Sequence, residues 1–156
     1  MAWKNINIRN TVMETLDALN LQYVLSAETS GISTTLPSKA FGTMKIVIAV
    51  AENGLACCIK TERKVEEEYF LEVAKLVMLI SSNEFLNIFI DLDHTVAAKS
   101  VAVAIDSEPN KETIHTAFLT LLGFIKYDEA FDLVFAGASA ASAYEFCMHN
   151  HDKETT

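Results

Sequence analysis

The sequence predicts an α+β domain of two layers, an antiparallel β-sheet of about five strands with three main helices in the order α-β-β-β-α-β-β-α. Three observations lead there. The stretch 44–61, MKIVIAVAENGLACCIKT, alternates around Asn53-Gly54 and reads as a β-hairpin. Three longer segments repeat apolar residues at helical spacing. A second pair of short apolar runs lies between the second and third of these segments. A chain of 156 residues needs no second domain, since chains of this size bury roughly 68–70% of their unfolded surface. The domain spans 1–136, and 137–156 is a C-terminal extension, a short helix or a tail.

Helix one runs from about 7 to 20. Ile8, Val12, Leu16 and Leu19 share a face while Glu14 and Asp17 point away. Asn5 or Asn7 caps it and Asn20 stops it. Residues 21–28 are a short extended segment, followed by a turn at Thr29-Ser30-Gly31. Ile32, Thr34 and Leu36 then alternate as an edge-like strand that Pro37 ends. In the hairpin, a two-residue type I′ turn at Asn53-Gly54 sets Glu52 opposite Leu55, Val50 opposite Cys57, Ile48 opposite Ile59 and Ile46 opposite Thr61. One side then carries Met44, Ile46, Ile48, Val50, Leu55, Cys57 and Ile59. The other carries Lys45, Val47, Ala49, Cys58 and Lys60.

Helix two runs from about Lys64 to Ser82, with Glu66, Glu67 and Glu68 near the positive end of its dipole. Its apolar residues, extended by Ala74, Met78 and Leu71, cover roughly 220° at 100° per residue, whereas covering one sheet takes about 100°. That width predicts burial on two sides. Strands at 85–91 and 100–105 follow. Leu86, Ile88 and Ile90 line one face, and Val101, Val103 and Ile105 line a face of the next strand; Phe85, Asn87, Phe89, Ala102 and Ala104 make the opposite side. The connection 92–99 holds no glycine, so its turn geometry is not legible. Asn110 caps a third helix that runs to about Ala136, with Gly123 as its weak point.

With 21 acidic and 12 basic residues, the net charge of −9 repels phosphate backbones, and no Lys/Arg cluster runs along the chain. Neither nucleic acid nor an anionic membrane is expected as a partner. A basic peptide suits the charge, although acidity is also the ordinary route to solubility. Cys57, Cys58 and Cys147 make no disulfide framework, because neighbours on a strand point to opposite faces. The opening MAWKNINIRN has no apolar core, so no signal peptide is expected, and the run within 69–80 is too short and too charged to span a bilayer. The expected location is cytoplasmic. An apolar fraction of 51% and a mean hydropathy of +0.23 exceed what a small monomer readily hides, which predicts an oligomer interface.

Three junctions carry a resemblance across about 8–136. They are the hairpin MKIVIAVAENGLACCIKTE, the helix segment VAKLVMLISSNEFLNIFIDLD running straight into a strand, and KSVAVAID followed at once by SEPNKETIHTAFLTLLGFI. This pattern resembles the YbjN-like family, whose fold is that of the type III secretion chaperones. Ser82-Asn83-Glu84 stand where relatives often have a glycine, and 137–156 has no counterpart. The resemblance implies helices one and three on one sheet face, helix two toward a homodimer partner, and no enzyme activity. Chaperones of that fold are acidic dimers that hold an extended client segment.

The expected function is therefore a non-enzymatic protein-binding module, chaperone-like or regulatory, acting as a homodimer on a protein or peptide partner. The expected interface is Phe70, Leu71, Ala74, Met78, Phe85, Phe89, Ala102 and Ala104, with no catalytic residue, metal or cofactor. The alternative is a small-molecule or metal-dependent enzyme centred on Asp91, Asp93 and His94, a carboxylate and imidazole set that suits several divalent metals; polar residues at a strand end more often solvate a turn. Cys147, His149 and His151 offer too few ligands for a closed metal site. Asp128, Glu129 and Asp132 form an acidic cluster, ordinarily a solvated face and otherwise a patch for basic residues.

Overall fold

A computed structural model describes residues 3–84, 86–104 and 109–154. The elements are α1 (Ile6–Ala18), β1 (Val24–Ser26), β2 (Gly31–Ser38), β3 (Gly42–Val50), β4 (Gly54–Lys64), α2 (Glu67–Asn83), β5 (Asn87–Ile90), β6 (Thr95–Val103), α3 (Lys111–Leu122), α4 (Asp128–Phe135) and α5 (Ala140–Glu154). A 3-10 turn at Ile125–Tyr127 separates α3 from α4. The strands form one antiparallel sheet in the order β1-β2-β3-β4-β6-β5. This is the predicted α+β class, with six strands rather than five and five helices rather than three among the described residues. Phe85 and Ile105, expected in strands, lie outside the described residues.

The side chain of Asn5 accepts from the N–H of Ile8 and caps α1. Its amide also donates to the carbonyl of Glu52 at 2.8 Å, tying the start of the helix to the end of the hairpin. Asn20 takes φ 55°, the left-handed conformation that stops a helix. Pro37 does not end its strand. β2 continues to Ser38 and pairs Pro37 with Thr43, while β1 covers only Gly31–Ser33 on the other edge. With that edge open, the missing N–H removes no ladder bond.

The hairpin register differs from the expected one by two residues. Val50 pairs with Leu55, Ile48 with Cys57, Ile46 with Ile59 and Met44 with Thr61. Neither Asn53 nor Gly54 has a positive φ, so the turn is not type I′. The cause lies in β6. The N–H of Ala104 donates to the Asn53 carbonyl, and Gly54 pairs with Val103. A Cβ on Gly54 would stand 2.3 Å from the Ala102 carbonyl oxygen. The glycine therefore serves close strand approach, not turn geometry. A slip of two preserves side-chain parity, so Met44, Ile46, Ile48, Val50, Leu55, Cys57 and Ile59 are all buried on one face, as expected.

Every sheet residue in the apolar core comes from that face, where the helices lie. The long third helix is broken. α3 ends at Leu122, and Gly123 and the 3-10 turn redirect the chain into α4. The turn before β3 docks on α4: the Asp128 carboxylate accepts from the Ser38 hydroxyl at 2.6 Å and the Lys39 N–H at 2.8 Å. Phe41 packs among Phe124, Phe131 and Phe135. Residues 140–154 form a helix packed on α2 and α4, with Ala140, Ala143 and Cys147 in the same core.

A polar junction ties α2, the 3-10 turn and α5 together. The Glu84 carboxylate accepts from Lys126 and from the buried Tyr127 hydroxyl, and Tyr127 stacks on Tyr144 of α5 at 6.0 Å. Burial alone would raise the Glu84 carboxyl, but the bonds from Lys126 and Tyr127 outweigh it and hold the group below its ordinary value. A carboxyl lowered in the folded state stabilises the fold above its unfolded pKa, and that contribution is lost as pH falls through the folded value. Glu84→Gln is thus expected to be less stable than wild type near neutrality, with the gap closing as pH drops below about 4. Urea midpoints across that range test this; a gap independent of pH removes the assignment.

Candidate functional site

α2 is buried on one side only. Val73, Leu76 and Ile80 are inaccessible, whereas Leu71 is 65% and Met78 68% exposed, with Phe70 also exposed and Ala74 half-buried between them. These four share one side because positions three, four and seven apart stack on a helix. That side lies along β5 and its hairpin. Ser81 donates to the Ile88 carbonyl, and the Phe70 ring contacts the His94 ring at 5.7 Å. Leu92 is wholly exposed at the tip of the β5–β6 turn. On the far flank, an apolar groove of about 450 Å³ runs between Met78 and Leu79 of α2 and Ala140 and Ala141 of α5. Glu72 closes one end, accepting from the Ala140 N–H at 2.8 Å.

The sheet face away from the helices is open. It carries Val47, Ala49, Ala56 and Cys58 of β3 and β4, Val101 and Val103 of β6, and Phe89 of β5. Val101 and Val103 are more than half exposed. Of the expected interface residues, Phe70, Leu71, Ala74, Met78 and Phe89 fall on these accessible surfaces, Ala104 is half-buried just beyond β6, and Phe85 lies outside the described residues. Ala102 does not belong there. It pairs with Leu55, is 3% exposed and faces the helices. In β6 it is Val101 and Val103, not Ala102, that share the open face with Phe89. Lys99 held the signal, since a lysine two and four residues before them marks their side as solvent-facing.

The same face assembles a charge cluster that is not visible along the chain. Lys45 pairs directly with Lys60, while Lys99 pairs with Cys58, two positions along β4. All three lysines are exposed, and none forms an ion pair with another described residue. Cys58 sits half-buried among them. Burial raises its thiol pKa even though Lys60 and Lys99 act to lower it, and burial pushes the Cys57 thiol on the core side up to about 12. Both are protonated at neutral pH and poor nucleophiles.

Asp91, Asp93 and His94 are brought together as a tight hairpin turn. The Asp91 carboxylate accepts from the N–H groups of Asp93 and Thr95, and these bonds help hold it below the usual carboxylate range. His94 takes φ 62°, with its N–H donating to the Asp91 carbonyl. β6 consequently begins at Thr95, five residues earlier than the expected 100. The acidic cluster is likewise engaged internally: Asp128 holds the 38–40 turn, and Asp132 pairs with Lys39 at 3.1 Å. Cys147 points into the core. Among the described residues, no three His, Cys, Asp or Glu side chains converge as metal ligands, and no helix is long and apolar enough to cross a membrane. No family model, curated protein or solved structure matches this chain.

Proposed function

We propose that the protein is a non-enzymatic, cytoplasmic binding module, chaperone-like or regulatory, that acts as a homodimer on a protein or peptide partner. The observation that carries the reading is the uncovered apolar side of α2, where Leu71 and Met78 stand exposed opposite a fully buried side. Exposed apolar side chains in a contiguous stripe mark an interaction surface. A stable homodimer buries about 800 Å² per partner, more than four side chains supply. The groove beside Met78 and the Leu92 tip extend the stripe on both flanks. In a two-fold dimer, Met78 of one copy can enter the groove of the other, an isologous arrangement. The resemblance to YbjN-like proteins, with helix two toward a dimer partner, fits this reading. The bonds from the Asp93 and Thr95 N–H groups to the Asp91 carboxylate support a turn-building role for that residue.

Light scattering coupled to size exclusion tests the dimer. The wild type is expected at twice the 17.2 kDa chain mass. Leu71→Asp with Met78→Asp is expected at the monomer mass with an unchanged circular dichroism spectrum, because both side chains lie outside the core, and with a lower melting temperature to the extent that association stabilises the wild type. A wild-type monomer at micromolar concentration would sink the dimer claim.

A further inference from the structure

We propose that the open sheet face is a docking site for an acidic, apolar-containing segment of another protein, recognised by Lys45, Lys60 and Lys99. The inference rests on the reading of the protein as a binding module but is independent of the α2 dimer. The juxtaposition itself is informative. In a chain with 21 acidic and only 12 basic residues, three exposed lysines converge on one face from β3, β4 and β6. Like charges directly opposite on neighbouring strands oppose pairing, and their Cβ atoms stand only about 5 Å apart. A carboxylate at position 60 would instead pair with Lys45. The fold therefore holds a locally unfavourable arrangement, and such departures concentrate where function requires them.

The chemistry around the lysines defines the occupant. Val47 and Cys58 stand beside the row, and Val101 lies one strand further on. A ligand must therefore offer carboxylates and apolar side chains together. A second copy docked face to face would bring lysines against lysines. A long polyanion or an anionic bilayer would meet the field of the whole chain, whose net charge is −9. A short acidic segment feels mainly the local lysines, since charges further away than about 8 Å are screened at physiological salt. The apolar neighbours then supply the desolvated contact.

Fluorescence anisotropy with a labelled peptide alternating Glu and Leu tests the proposal, with Gln-Leu and Lys-Leu peptides as controls. The acidic peptide is expected to bind about tenfold or more tightly than either control, and more weakly as salt rises. The triple variant Lys45→Glu/Lys60→Glu/Lys99→Glu is expected to lose that preference. Lys60→Glu alone is expected to weaken peptide binding while keeping or raising the melting temperature, an opposition that a merely structural lysine would not produce. Equal binding of the acidic and neutral peptides overturns the charge recognition and leaves the binding-module reading standing. Lysine-dependent sedimentation with phosphatidylserine vesicles, or a change of solution mass in the triple variant, also overturns it, the first by making the ligand a membrane and the second by making the face a self-interface. Failure of the α2 dimer shows separately, as a wild-type monomer that still binds the acidic peptide.

Discussion

Deleting residues 137–156 is expected to leave a chain that does not hold its native fold at room temperature. α5 contributes Ala140, Ala143 and Cys147 to the core and covers parts of α2 and α4. Its Tyr144 stacks on the fully buried Tyr127, which also contacts Met148. Fully burying a large apolar side chain contributes roughly 1.5–3 kcal/mol. Losing Tyr144, Cys147 and Met148, and exposing the surfaces beneath them, costs about 5 kcal/mol or more. A domain's whole stability is about 5–15 kcal/mol. Circular dichroism melts of the truncated and full chains decide the matter. A truncated chain melting within a few degrees of the full one would show that α5 is a dispensable appendage.

Gly54→Ala is expected to destabilise the fold by about 2–3 kcal/mol, the usual scale of overpacking. The added Cβ would stand 2.3 Å from the Ala102 oxygen and 3.0 Å from Val103. Those atoms belong to the backbone and side chain of β6, whose pairing with β4 fixes them, so relief requires the strands to separate. Asn53→Ala provides the contrast. It removes the 3.3 Å bond from the Asn53 amide to the Ala104 carbonyl, worth about 1 kcal/mol or less. A type I′ turn would instead penalise both substitutions through positive φ. Urea unfolding midpoints separate the cases, and a neutral Gly54→Ala would refute the close approach.

The hairpin shows why faces are easier to read than partners. Alternation places Ile46, Ile48, Cys57 and Ile59 inward in either register, because a slip of two leaves parity intact. The actual register depended on β6 engaging Asn53 and Gly54, a contact from about fifty residues away along the chain. Pro37 misleads for a related reason: whether a missing N–H matters depends on whether a neighbouring strand lies on that edge. The broken third helix is subtler. Ile114, Phe118, Leu121, Phe124, Tyr127, Phe131 and Val134 follow helical spacing without interruption, so periodicity runs straight through the break. Only Gly123 marks it.

The candidate site divides in the same way. The apolar breadth of helix two was legible, and with it Phe70, Leu71, Ala74 and Met78, because a helix face is a local property of spacing. Ala102 was misassigned because β6 starts earlier than expected, after a turn that Asp91 builds through its own carboxylate. Of the lysine cluster, only the shared hairpin side of Lys45 and Lys60 was legible. Lys45 and Lys60 face each other across the hairpin, and Lys99 joins them only when β6 crosses over to lie beside β4.

By itself, the sequence determined the class of fold, the side chains that face the core along the hairpin, and the surplus apolar side of α2. Each follows from residue periods of two and 3.6 and from the hydrophobic effect acting on short stretches. The tertiary structure decided the registers, the break after Gly123, the packing of α5 into the core and the assembly of three lysines on an open face. These depend on which distant strands and helices meet, and a backbone donor, a missing side chain or a charge acquires its consequence only from the neighbour that the fold supplies.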